Sequence, residues 1–259
     1  MDCEREIMEY IKPEPNTKNY MMLLNKIIES WQKDPEKKGR RPRLLLHSCC
    51  APCSSAVLER MCQYFDITLF YYNPNISTKT EFDHRVSELK RLIHEMGIDK
   101  ERMDEDGALL GKVSVVVPEY DHREFLEIAK GHEKDPERGE RCHLCYRQRL
   151  EKTAEYMDTI RKAAESGKGA GETTYDYFCT TLTISPMKSA EILNRIGEEV
   201  GTDHGEAFLP SDFKKNGGYQ KSIELSREYN LYRQNFCGCE FSKAASEKER
   251  EERMAFRDK

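Results

Sequence analysis

Short apolar runs and longer stretches of helical periodicity alternate along most of this 259-residue chain, and few folds satisfy that alternation. The runs "RLLLH" (43–47), "DITLFYYNP" (66–74), "KVSVVVP" (112–118), "YDYFCTTLT" (175–183) and "EAFLP" (206–210) read as strands. Between and after them "CSSAVLERMCQYF", "TEFDHRVSELKRLIHEMG" closing at Gly97, "DHREFLEIAKGHE", "YRQRLEKTAEYMDTIRKAAESG", "SPMKSAEILNRIGEEVG" and "GYQKSIELSREYN" read as helices. The fifth of these has Ser185 as its expected N-cap and Pro186 at its first position. Strands separated by helices return to the sheet side by side and parallel. The expected class is therefore α/β: a doubly wound, mainly parallel sheet with helices on both faces.

Residues 1–40 stand ahead of this pattern as an N-terminal helical extension and basic linker. Met21, Leu24, Ile27, Ile28 and Trp31 fall at helical spacing, and "DPEKKGRRP" follows with Gly39 and Pro42 as breakers. The helix is expected to pack on the main domain, residues 41–245. A charged, helical tail is expected over 246–259. The first residues, "MDCEREIMEY", lack the apolar core of a secretory leader, and runs such as "VSVVVP" are too short to cross a bilayer. A cytoplasmic protein is expected. The net charge of −5 neither advertises nor excludes nucleic-acid binding, because phosphate contacts depend on local patches.

Ten cysteines in a reducing compartment are not a disulfide framework. Cys3 lies in the extension and reads as incidental. Cys62 falls on an apolar helix face and Cys179 inside an apolar strand, where a free thiol packs as a small hydrophobe. The other seven form three groups: Cys49, Cys50 and Cys53 in "HSCCAPC", Cys142 and Cys145 in "RCHLC", and Cys237 and Cys239 in "CGC". The first group follows a strand and precedes a helix, the place where open α/β sheets bind ligands and where a helix N-terminus favours thiolate. The second pair opens a long helix with both thiols on one face. A fold that gathers three distant groups can build an iron–sulfur cluster. A zinc site and a dithiol of the C-x-x-C kind at Cys50 and Cys53 also remain open on spacing alone.

Longer stretches go further. "LLLHSCCAPCSS", "FYYNPNI" followed by "EFDHRVSELKRL", "RCHLCYRQRLEKTA", "CTTLTISPMKS" and "DFKKNGGYQKSIELSREYNLYRQNFCGCEFS" occur in this order. Together they resemble the iron–sulfur epoxyqueuosine reductase family QueH, from the end of the linker to the start of the tail. The resemblance implies a HUP-like α/β fold and a reaction: reduction of epoxyqueuosine to queuosine at the wobble position of tRNA, the last step in making that nucleoside. Carried over residue by residue, it implies Cys49, Cys50, Cys142 and Cys145 as ligands of a [4Fe-4S] cluster. It implies Cys237 and Cys239 as a redox-active pair that closes into a disulfide, whose small ring would be strained and labile. Cys53 matches a position where relatives can carry an acid, so it stands as an additional ligand for one mononuclear iron beside the cluster. The implied partners are tRNA carrying epoxyqueuosine in its anticodon and an electron donor of ferredoxin or flavodoxin kind, with no membrane.

Between Ser211 and Lys243, Lys214, Lys215, Lys221, Arg227, Arg233 and Lys243 interleave with Phe213, Tyr219, Tyr229, Tyr232, Phe236 and Phe241. That mixture suits an RNA surface, and it equally suits an ordinary helix with a core face. Two rival classes carry their own expectations. A metal-independent thiol oxidoreductase would be colourless; a zinc-bound RNA-binding module would hold zinc and no inorganic sulfide.

Overall fold

A computed structural model describes residues 18–37, 40–167 and 174–257. Cys3 and the linker residues Lys38 and Gly39 lie outside the described residues. Helix α1 (Tyr20–Lys33) is capped by Asn19, whose side chain accepts from the Met22 amide at 3.1 Å. Strand β1 (Arg43–His47) leads into α2 (Ala51–Met61), and β2 (Asp66–Phe70) into α3 (Lys79–Glu95). A two-stranded hairpin, β3 (Arg102–Met103) and β4 (Leu109–Leu110), precedes β5 (Val113–Val116). Helix α4 (Arg123–Ala129), the long α5 (Glu140–Glu165), β6 (Tyr177–Thr180), α6 (Ala190–His204), α7 (Gly218–Glu228) and α8 (Glu240–Arg257) complete the order.

The four longer strands form one parallel sheet in the order β5-β2-β1-β6. Successive side chains of a strand point to opposite faces, so β1 feeds two cores. Leu44 and Leu46 pack with apolar residues of α1, α2, α3 and α7. Leu45 packs on the other face with Tyr146, Leu150, Ala154 and Met157 of α5 and Leu193, Ile196 and Val200 of α6. This is the doubly wound α/β sheet that the alternation implies. Helix α1 is integral to the first core through Met21, Leu24 and Ile28. Its Trp31 donates from Nε1 to the Arg40 carbonyl, while Lys37 and Arg40 lie over the ring at 4.4 and 4.9 Å. No helix among the described residues is long and apolar enough to cross a membrane.

Several boundaries differ from the sequence expectation. The strand read in "YDYFCTTLT" ends at Thr180, whose hydroxyl accepts from the Leu182 amide and starts a 3-10 turn over Thr181–Ile184. "EAFLP" makes only a single parallel bridge, Phe208 to Phe178, because the chain turns away at Pro210 after two ladder hydrogen bonds. The helix expected from Ser185 begins at Ala190, and Ser189 caps it by accepting from the Ile192 amide at 3.3 Å. Ser185 instead closes the preceding turn, accepting from the Met187 amide. Helix α4 is only seven residues long, and α8 begins earlier than the expected tail.

Candidate metal centre

Strand β2 lies on one side of β1 and β6 on the other, so the chain's direction across the sheet reverses between β1 and β6. A crevice opens beyond the carboxyl ends of strands at such a reversal. His47 ends β1 there. Its buried ring bonds the Thr180 hydroxyl at 2.9 Å and the Tyr72 carbonyl at 3.1 Å, tying β1 to its neighbours. Burial pushes its pKa down to about 3, with the positive charge of Arg149 acting in the same direction. A neutral imidazole is the form that can accept from one partner and donate to the other.

The next residues place the first thiol group. Cys49, Cys50 and Cys53 bring their sulfurs within 4.8 Å of one another. Cys50 is the N-cap of α2, and Cys53 lies in that helix's first turn. Hydrogen bonds from the Cys49 and then the Cys53 thiol hold Cys50 well below the ordinary cysteine value. The bond to Cys50 raises Cys49, and bonds to Cys49 and then to Cys50 raise Cys53 strongly. Two thiolates on one tetrahedral ion, with metal–sulfur bonds of about 2.3 Å, sit about 3.8 Å apart. The sulfurs of Cys49 and Cys50 are 3.8 Å apart. This donor set fits one ion and leaves a fourth position open.

A second cavity is lined by Cys142, Cys145, Cys237 and Cys239. Cys142 and Cys145 stand in the first two turns of α5, three residues apart and so on one face. The Cys142 sulfur accepts from the Arg138 amide at 3.3 Å. Cys239 directly precedes α8 and accepts at its sulfur from the Ser242 amide at 3.4 Å, as a capping side chain does. Burial pushes Cys145 up to about 11 and Cys239 up to about 12. Between the last pair, Gly238 has φ +132°, and a Cβ there would meet the Ile76 side chain at 3.0 Å. Only glycine lets the chain turn so closely under Asn75 and Arg85.

Each thiol group therefore stands at a helix N-terminus, where backbone amides and the helix dipole favour anions. The cavity also holds unpartnered polar atoms: Asn75 Oδ1, Arg141 Nε and Arg149 Nη2 are buried without a hydrogen-bond partner. Buried polar groups are seldom left unpaired. Four thiols together with the unpartnered Arg141 Nε and Arg149 Nη2 donors fit a group carrying sulfur acceptors. The two thiol groups are neighbours as well, since Cys49 from one and Cys142 from the other pack against the same core cluster.

The structure thus brings the seven expected cysteines together as a three and a four. Cys62 and Cys179 are buried in the core, away from both groups, as packing residues. Sequence reasoning missed the polar frame: Arg149, Asn73, Asn75, Arg85 and Lys188. Arg149 had a readable signal, because it follows Cys145 by four residues and shares its helix face. The basic and aromatic stretch after Ser211 is mostly committed elsewhere. Phe213 is buried, Lys214 pairs with Asp212, Lys221 with Glu59, and the Tyr232 hydroxyl donates to Glu81.

The family model described as "Epoxyqueuosine reductase QueH" matches residues 44–245. The chain belongs to that family. It is 39% identical to the epoxyqueuosine reductase QueH of Staphylococcus epidermidis over 86% of this chain and 84% of that one. It is 37% identical to the QueH of Streptococcus pyogenes, over 88% and 80%. The QueH of Thermotoga maritima is 29% identical, over 77% and 89%. The matched segment runs from β1 into α8, so it contains all seven cysteines of the two groups.

Proposed function

We propose that this protein reduces epoxyqueuosine to queuosine at the wobble position of tRNA, with a [4Fe-4S] cluster and one further iron as its metals. The observation that carries this reading is the pair of neighbouring thiol groups, beyond the carboxyl end of the sheet, in a member of the QueH family. The reaction consumes two electrons and two protons, releases the epoxide oxygen as water and leaves a cyclopentene. Bound metals would supply electrons one at a time and a Lewis acid for the departing oxygen.

The protein's own residues prepare the place. Helix α2 presents its N-terminus to the Cys49, Cys50 and Cys53 group, which suits a single iron. Cys142, Cys145, Cys237 and Cys239 suit the cluster, since a cluster spreads its four thiolates over several irons rather than on one ion. Arg85 fixes the second pair by donating to the Cys237 carbonyl at 3.1 Å, while Glu81 holds its Nε at 2.7 Å. Lys188 lies in the turn before α6; burial disfavours its charge, and thiolates at Cys237, Cys49 and Cys53 would favour it. The resemblance supports a second division, with Cys49, Cys50, Cys142 and Cys145 on the cluster and Cys237 and Cys239 as a redox-active dithiol. The closeness of the two groups favours keeping it in view. The substrate places the protein in the cytoplasm with a tRNA partner and a small electron-transfer protein as donor.

The test begins with anaerobically purified protein. About five irons and about four sulfides per chain are expected. Cys53→Ala should lose about one iron and keep its sulfide; Cys145→Ala should lose the sulfide. Cys237→Ser separates the two divisions: loss of sulfide supports the cavity as the cluster site, whereas retained sulfide with poor turnover supports the dithiol. Reduced protein should convert epoxyqueuosine in tRNA to queuosine without added cobalamin, read by nucleoside mass spectrometry. Stoichiometric zinc, no sulfide and untouched tRNA would sink the proposal.

A further inference from the structure

Arg149 is 1% exposed, yet no carboxylate among the described residues pairs with it. Its Nε donates to the Cys145 carbonyl at 3.1 Å, its Nη1 reaches Asn73 Oδ1 at 3.5 Å, and its Nη2 has no partner. The contrast with its neighbours is informative. Arg85 is also buried but is matched by Glu81, and Arg141 spends one nitrogen on three carbonyls of the loop before α5. An ion taken out of water without a counter-ion is strongly unfavourable, so a buried guanidinium implies an anion beside it.

Lining the cavity beside Arg149 are the thiols of Cys142, Cys145, Cys237 and Cys239. Burial disfavours its charge, and thiolates formed at Cys145, Cys237 or Cys49 would favour it. Arg149 itself lines the cavity of the four thiols. Its free Nη2 is a donor with no acceptor yet assigned.

We propose that Arg149 is the built-in countercharge of the metal centre and sets its reduction potential from the wall of the four-thiol cavity. This rests on the metal reading above and adds to it a residue that binds neither metal nor tRNA. A [4Fe-4S] centre takes up one electron with no bond made or broken, and its negative charge grows by one. Net charge and hydrogen bonds to sulfur are the protein's levers on that step. A fixed positive charge with a free donor favours the reduced form. Arg149 is accordingly a positioning residue, acting through the sulfurs.

The experiment compares full-length wild type, Arg149→Met and Arg149→Lys, all purified anaerobically. Iron and sulfide are measured first, then the midpoint potential by dithionite titration followed optically and by electron paramagnetic resonance. Arg149→Met should keep its iron and sulfide but be about tenfold less reduced at the wild-type midpoint, a shift of about 59 mV to more negative potential. Arg149→Lys, which keeps the charge, should stay near wild type. A centre lost from Arg149→Met and kept in Arg149→Lys supports the same conclusion. An unshifted Arg149→Met, equal shifts in both variants, or loss of the centre from both overturns it, since shape rather than charge would then be what the position supplies. Wild-type protein without iron and sulfide would instead remove the metal reading itself, an outcome visible before any variant is titrated.

Discussion

Cys179 shows what a thiol does here when it is not part of the centre. It is fully buried in β6, its sulfur 3.5 Å from the Ser211 hydroxyl, and burial pushes its pKa from 9.0 to about 11. The neutral form is the one the fold accommodates. Between pH 9 and 11 the unfolded chain releases this proton while the folded chain keeps it. Its contribution to stability is therefore complete below pH 9 and falls as pH rises to about 11, by about 1.4 kcal/mol per pH unit. Denaturant titrations at pH 8, 9 and 10 should show wild type losing stability more steeply than Cys179→Ala, with identical metal content in the two. At this scale the cysteines that pack were legible from the apolar residues around them. The polar frame was less so, because Asn73, Asn75 and Arg85 take their roles from long-range neighbours that no local pattern announces.

Helix termini carry the second level of organisation. The capping of α6 provides a direct check: Ser189→Ala should cost about 1 kcal/mol, whereas Ser185→Ala should cost less, because Ser185 holds only a turn. Thermal or denaturant unfolding of the two variants distinguishes the positions. The sequence expectation placed the helix start at Ser185 because Ser-Pro is a strong start signal, and the second serine four residues on was hidden behind it. The strand-to-turn change at Thr180 was likewise concealed by a run of threonines, which suit strands and turns alike. Helix existence and order were legible throughout, since the periodicity of α2, α3, α5, α6 and α7 spans several turns each. The hairpin of β3 and β4 had a local signal that went unread: Asp104 accepts from the Asp106 and Ala108 amides, and Gly107 has φ +79°.

The whole molecule joins the first helix to the sheet. Leu24 of α1 is fully buried in the core that contains Leu44 and Leu46 of β1. Leu24→Ala should therefore cost about 2–5 kcal/mol, and the loss should appear in one transition shared by the far-ultraviolet signal and by Trp31 fluorescence. Trp31 is the chain's single tryptophan, so its emission reports α1 without ambiguity. Two separated transitions would mean that α1 unfolds as an independent unit. The sheet's strand order was not legible from the alternation, which fixes parallelism but not which strands are neighbours. The meeting of Cys49, Cys142 and Cys237 depended on that order.

That meeting has a temporal side. During synthesis the first thiols leave the ribosome with β1 and the last with the segment ahead of α8, near the end of the chain. The cavity for the four-thiol group cannot exist until α5 has docked on the sheet and the Cys-Gly-Cys turn has been threaded beneath Arg85. Before that, Cys142 and Cys145 stand without Cys237 and Cys239. If the four-thiol group holds the cluster, its filling comes late in this protein's maturation. On that reading, a nascent chain arrested short of Cys237 should emerge folded over most of its sheet and without a cluster.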